Sequence, residues 1–96
     1  MASEQAIATD RMRRALLALQ TAQGAFLNAY RRMKVWSQAE VDAYWAGPGR
    51  QVEADMRVAA TDVDEAFKVL SAAGLVASGS DRRLIAEARR YLAAPR

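Results

Sequence analysis

From Met12 to Met33 the chain repeats one pattern. Met12, Leu16, Leu19, Gln23, Phe26, Tyr30 and Met33 follow one another at alternating spacings of four and three. An α-helix lays such residues along a single stripe, because two of its turns take up about seven residues. The pattern returns through Val52, Met56, Ala59, Val63, Ala66 and Leu70. Two stripes of this length commit the chain to long amphipathic helices that bury against one another. No segment shows the apolar–polar alternation of a strand. The expected fold is all-α: an antiparallel helical hairpin elaborated into a three- to four-helix bundle.

Local signals place the ends of these helices. The first is expected over about 3–34. Ala8, Ala15, Ala22 and Ala29 recur every seven residues beside its seam, and such small side chains let a second helix come close. Leu27 and Ala18 widen the apolar face beyond a two-stranded seam. Ser37-Gln-Ala-Glu40 reads as a capping box, with Trp36 and Val41 as its hydrophobic staple. A short second helix is expected over 38–45, stopped by Gly47-Pro48-Gly49, since proline breaks the hydrogen-bond ladder. The third helix is expected over 50–73, thickened by Ala60 and Phe67. Gly74 is its left-handed cap, with Leu75 folding back on Leu70. After a loop at Ala77-Ser-Gly79, Ser80 is expected to cap a fourth helix over 81–93, ended by Pro95. Its apolar stripe is Leu84, Ile85, Ala88, Tyr91 and Leu92, which suits packing across the hairpin.

A chain of 96 residues makes one domain and buries about two-thirds of its unfolded surface. It has no cysteine and no histidine. That removes disulfides, thiolate chemistry, the commonest metal ligand and the commonest general base together. No metal and no cofactor is therefore expected. No apolar run is long enough to span a membrane, and the start Met1-Ala-Ser-Glu-Gln does not resemble a secretory signal. A cytoplasmic location, or a virion assembled there, is expected. Alanine is abundant, and Lys34 and Lys68 are the only lysines beside many arginines. That bias points to a GC-rich bacterial or phage genome. The net charge of +3 suits an acidic partner and is too mild to indicate nucleic acid by itself.

Two surfaces stand out. Tyr30, Trp36, Tyr44 and Trp45 should gather with Arg31, Arg32, Lys34 and Arg50 at one end of the hairpin. Tryptophan, tyrosine and arginine dominate interface hot spots, and the same mix can stack single-stranded bases. The competing reading is a plug for the open end of the bundle. The partner-facing set expected here is Arg31, Arg32, Trp36, Tyr44, Trp45 and Arg50. On the fourth helix, Arg82, Arg83, Arg89 and Arg90 share the side opposite the apolar stripe. They can meet phosphates, an acidic protein or anionic lipid, or simply form a solvated face. Gln23-Gly24 marks either a closest helix crossing or a tolerated kink. The acidic group Glu53, Asp55, Asp62, Asp64 and Glu65 reads as a solvated face that complements arginines on helix 1, with Asp64 pointing away. Catalysis by these carboxylates is not expected without histidine, cysteine or a glycine-rich loop.

Trp45-Ala46-Gly47 near the middle of a helical chain of this length resembles the WXG100 family of secreted proteins. That resemblance, over about 12–73, implies a helical hairpin with a Trp-x-Gly turn, dimerisation and export by type VII secretion. The sequence departs from the family's pattern in three places. A separate capped helix precedes Trp45, a fourth helix follows the hairpin, and Tyr91 is followed four residues on by Pro95 rather than by an acid. A helix-turn-helix reader is a further option, with Gly74 in the turn and Arg82 and Arg83 opening the recognition helix. Its loop over 75–79 is longer than the usual turn. The apolar faces of helices 1 and 3 look too broad for each other, so self-association as a dimer or ring is expected. The function expected is a non-enzymatic interaction or assembly module: a virion adaptor, an inhibitor or a regulatory subunit.

Overall fold

The computed structural model describes residues 3–94. Four helices follow one another: α1 (Glu4–Met33), α2 (Gln38–Ala46), α3 (Gly49–Ala72) and α4 (Gly79–Ala93). No strand occurs among the described residues, and the fold is an all-α helical bundle. α1 and α3 form the antiparallel hairpin. The Gln5 amide near the start of α1 donates to the Ala73 carbonyl just past the end of α3, at 3.3 Å. α4 turns back along α3 and runs in the direction of α1, so the three long helices go up, down and up. α4 packs chiefly on α3 and touches α1 far less. Pro95 lies outside the described residues.

Each helix end has an identifiable cause. Ser3 caps α1, its hydroxyl accepting from the Ala6 amide at 3.0 Å. At α2 the capping box is complete: the Ser37 hydroxyl accepts from the Glu40 amide at 3.2 Å, and the Ser37 amide donates to Glu40 Oε1 at 3.3 Å. Only Gly47 and Pro48 separate α2 from α3. Gly49, expected to belong to the stop signal, is already helical and buried. A Cβ on Gly49 would come within 2.5 Å of the Trp45 ring and 2.9 Å of the Tyr44 carbonyl. The absence of a side chain is what lets the chain reverse this sharply beside two aromatic rings. At the far end of α3, Gly74 takes φ +78°. The Leu75 amide donates to the Leu70 carbonyl at 3.1 Å and the Gly74 amide to Ser71 at 3.0 Å, which is the two-bond Schellman cap. α4 starts two residues earlier than its spacing implies. Ser78, not Ser80, caps it: Ser78 has extended backbone, and its hydroxyl accepts from the Asp81 amide at 3.2 Å.

The core combines the alanine column with the large seam residues. Ala8, Ala15 and Ala22 of α1 share it with Ala59, Ala60, Val63 and Ala66 of α3, while Ala29 is buried outside that cluster, nearer the elbow. Met12, Leu16 and Leu19 flank the column and are buried with it, as are Met56 and Leu70 on α3 and Ile85 and Ala88 on α4. Leu19 and Val63 are the largest fully buried side chains. Among the seam members of α1, Tyr30 alone is exposed, at 53%.

Of the two readings open for Gln23-Gly24, the close crossing is excluded: a Cβ at Gly24 would meet nothing within 4 Å. Its neighbour Gln23 instead turns toward α4, where its amide donates to Glu87 Oε2 at 2.8 Å. One further expectation is corrected: Asp64 does not point away from the bundle. It is the ion-pair link between α3 and α4, accepting from Arg89 Nε at 2.8 Å, because α4 lies across the side of α3 that carries it.

Candidate interaction surface

At the elbow, five rings touch in sequence. Trp36 lies 5.6 Å from Tyr44 between ring centroids, Tyr44 5.2 Å from Trp45, and Trp45 5.3 Å from Phe26 and 5.8 Å from Tyr30. Phe26 extends the series to Tyr91 on α4 at 6.3 Å, edge to face. The capped start of α2 and the turn at Gly49 bring Trp36, Tyr44 and Trp45 together, all of them half-buried. The Arg32 guanidinium lies over the Tyr44 ring at 5.8 Å. Arg31, Lys34 and Arg50 are exposed beside the cluster. Trp36, Tyr44, Trp45, Arg31, Arg32 and Arg50 are therefore gathered at one end of the molecule. The rings bury much of their area against one another, so the cluster also closes that end of the bundle.

The arginines of α4 do not act as one free basic face. Arg82 Nε donates to the Ala77 carbonyl at 3.1 Å. Arg89 is held by Asp64, and its guanidinium lies 4.7 Å from the centre of the Phe67 ring. Arg83 and Arg90 are exposed and make no ion pair among the described residues. Arg57 on α3 stacks at 5.5 Å over Tyr91, whose hydroxyl donates to the Glu53 carbonyl at 3.4 Å. The Arg57 Nε is buried without a hydrogen-bond partner among the described residues.

The charged groups with perturbed protonation all belong to ion pairs near the surface. The hydrogen bond from Arg89 holds the Asp64 carboxyl below its usual 3.8, helped by Lys68 and opposed by partial burial. Lys68 is raised by its hydrogen bond to Asp64 and by the charges of Asp64 and Glu65. Asp10 is lowered mainly by its hydrogen bond from Arg13, with Arg14 adding to it. Asp62 meets Arg11 of α1 at 3.7 Å, the α1–α3 complementarity expected of the acidic face. No polar or charged residue is buried among the described residues, and none of them forms a cluster able to hold a metal ion. No described helix is long and apolar enough to cross a membrane.

Sequence reasoning did not anticipate a groove between α1 and α4. Both helices rest on α3 and meet each other sparsely, chiefly through the Gln23–Glu87 hydrogen bond and the Phe26–Tyr91 ring contact. Toward the elbow, Gln23, Phe26, Leu27, Tyr30, Met56, Glu87 and Tyr91 line a recess of about 370 Å³. Toward the other end, Met12, Leu16, Leu17, Leu70, Leu75 and Leu84 are among the residues lining a second recess of about 500 Å³. The Gln23–Glu87 hydrogen bond crosses from α1 to α4 between the two recesses. Leu17, Leu27 and Tyr30 stand 52%, 55% and 53% exposed along it. The available signal was the breadth of the α1 stripe: Leu17 and Leu27 fall outside the seam that α3 covers. Comparison with family models, with curated proteins and with solved structures returned no match.

Proposed function

We propose that this protein is a non-enzymatic helical module that works by binding another protein, as an adaptor, an inhibitor or a regulatory subunit of bacterial or phage origin. The observation that carries the reading is the exposed apolar pair Leu27 and Tyr30 at the elbow-end recess between α1 and α4, whose lining also includes Phe26, Met56 and Tyr91. Large apolar side chains clustered at the surface are a mark of interaction sites, whereas single ones are ordinary. The aromatic and basic elbow adjoins this pair with the residue types that dominate interface energetics.

The test is a comparison of captures. Immobilised wild type should retain a partner from a host extract, and a Leu27→Asp variant should lose it. Circular dichroism and thermal midpoint should stay near wild type, because Leu27 is already 55% exposed and stands outside the ring cluster. Retention of the same partner by Leu27→Asp would refute this surface as the binding site. Trp45→Ala is a poorer probe, since Trp45 packs on Phe26, Tyr30 and Tyr44 and its loss would disturb the fold.

A specific observation favours self-association as a second reading. α4 covers one side of the α1–α3 hairpin and leaves the other open. There Ala18, Ala22, Ala25 and Ala59 line a shallow depression beside Val58, which is 69% exposed. On this reading wild type sediments as a dimer or larger ring, and Val58→Asp shifts it to the monomer. A wild type that sediments as a monomer at all concentrations rules it out. A nucleic-acid role for α4 is not favoured, because two of its four arginines are engaged within the chain.

A further inference from the structure

The side of the α1–α3 hairpin that α4 leaves uncovered is patterned along both helices. On α1, Ile7, Arg11, Arg14, Ala18 and Ala25 recur at helical spacing, and they line two recesses that share Asp62 of α3. On α3, Asp55, Val58, Asp62, Glu65 and Val69 recur in the same way. The Gln5–Ala73 hydrogen bond and the Arg11–Asp62 pair set the levels of the two antiparallel helices. Ile7 is about level with Val69, Arg14 with Asp62 and Glu65, and the stretch from Ala18 to Ala25 with Val58. The face is apolar in two places. Ile7 and Val69 are 58% and 36% exposed at one end, and Val58 is 69% exposed beside the alanines. From Ile7 to Ala25 it runs about 27 Å at helical rise.

The two halves of this face carry opposite charge. α1 presents Arg11 and Arg14, and Asp10 at its edge is already bound by Arg13 and Arg14. α3 presents Asp55, Asp62 and Glu65 and no base. Arg11 reaches Asp62 at 3.7 Å and Lys68 reaches Glu65 at 3.6 Å. Even so, the side chains of Arg14, Asp62 and Glu65 stay 74%, 51% and 55% exposed, open to a second partner. A second copy can be laid on the face about a two-fold axis in two ways. An axis across the rod puts α1 on α1 and α3 on α3, which sets Asp55 against Asp62, and like charges across an interface are disfavoured. An axis along the rod puts α1 of each copy on α3 of the other at the same level. Arg14 then meets Asp62 and Glu65, Ile7 meets Val69, and Val58 enters between Ala18 and Ala25.

We infer that the uncovered face of the hairpin binds a second copy of this chain about a two-fold axis parallel to the rod, with α1 of each copy on α3 of the other. The four helices so joined form a bundle in which every neighbour is antiparallel. The small side chains of Ala18 and Ala25 leave a hollow for Val58, and each Arg14 faces the acids of the other copy at both ends of the two-fold. The inference rests on the self-association reading and adds which helices meet and in what register. The Leu27–Tyr30 recess lies on the α4 side of α1 and stays open to a different protein.

Sedimentation of the full chain over a range of concentrations tests it. Wild type is expected to dimerise, and Val58→Asp to shift it to the monomer. Exchanged charges then read the arrangement. Arg14→Glu and Glu65→Arg should each weaken the dimer at least about tenfold, and the Arg14→Glu/Glu65→Arg double variant should recover most of that loss. Arg14 and Glu65 are not paired with each other within one chain, so recovery reports a contact between copies. Circular dichroism and thermal midpoint should stay near wild type, since all three positions are exposed. A dimer that Val58→Asp abolishes but the charge variants leave intact, or singles that weaken it without recovery in the double, would overturn this arrangement and leave self-association standing. A dimer indifferent to Val58→Asp, or a ring in place of a dimer, would overturn it as well. A wild type that stays monomeric at every concentration, or that binds only an unlike protein through Val58, would overturn both the arrangement and the self-association on which it rests.

Discussion

Gly49 and Gly74 do different work, and only one of them announced it. Gly74 follows a long apolar stripe and precedes Leu75, a pattern that names a left-handed cap, and its φ of +78° agrees. Gly49 gives no such cue, because the sequence cannot say that Trp45 and Tyr44 fold over it. Substituting alanine there drives a methyl group into the Trp45 ring and the Tyr44 carbonyl. The ring can move, but the backbone carbonyl cannot do so cheaply. Gly49→Ala should therefore destabilise the protein by about 1–3 kcal/mol, the usual range for overpacking. Gly24→Ala, in a helix interior with open space around it, should instead stabilise by about 0.4–1 kcal/mol. Urea denaturation of the two variants against wild type checks both signs. An unchanged midpoint for Gly49→Ala would mean that the α2–α3 turn has room for a Cβ beside Trp45 and Tyr44. The serines show the same limit of local reading. Ser78 and Ser80 both precede α4, and tertiary packing of Ala77 into the core selects Ser78 as the cap.

At the scale of the element, periodicity told most of what could be told. The two long stripes, the capping box and the reversal at Gly47-Pro48 all follow from spacing. What spacing could not tell is which part of a broad stripe faces which neighbour. A helix whose apolar arc is wide can turn about its axis without any change in pattern. In the fold both the alanines and the large seam residues of α1 and α3 are buried, and α4 covers one flank and leaves Leu17 and Leu27 exposed. The same uncertainty hid the partner of Asp64. Arg89 lies on the rim of α4 next to Ile85, so its guanidinium reaches across to α3 and over Phe67. This tie has a pH signature. The folded state holds Asp64 below 3.8 through Arg89, so the contribution is fully present above that value and is lost as pH falls through the lower, folded one. Asp64→Asn should lower the urea midpoint slightly near neutral pH, on the scale of a partly screened surface pair. The gap to wild type should close as the solution is taken below 3.8. A gap that stayed constant down to strong acid would show that Asp64 acts through shape and not through charge.

The whole molecule is a rod of 53 × 25 × 19 Å, and its two ends are held by different means. Along the middle, α1, α3 and α4 share a continuous core that includes Leu19, Val63 and Ile85. At the elbow, α2 buries none of its residues fully. It is fixed by its capping box, by ring contacts and by the turn at Gly49. Burial of apolar area sets how much free energy is needed to open a segment, so stability should fall along the rod toward the elbow. Native-state hydrogen exchange would resolve this. Amides of α2 should exchange through local opening and show little dependence on low urea. Those of Leu19 and Val63 should exchange only with global unfolding and should follow the full urea slope. A difference of at least about tenfold in protection corresponds to 1.4 kcal/mol, a small fraction of a domain's stability. Equal protection of α2 and the central core would mean that the aromatic cluster binds the elbow as firmly as the alanine seam binds the hairpin. In that case the rings would be mainly a structural plug. A loosely held elbow instead leaves Trp36, Tyr44 and Arg32 free to reorder against a partner without disturbing the three long helices.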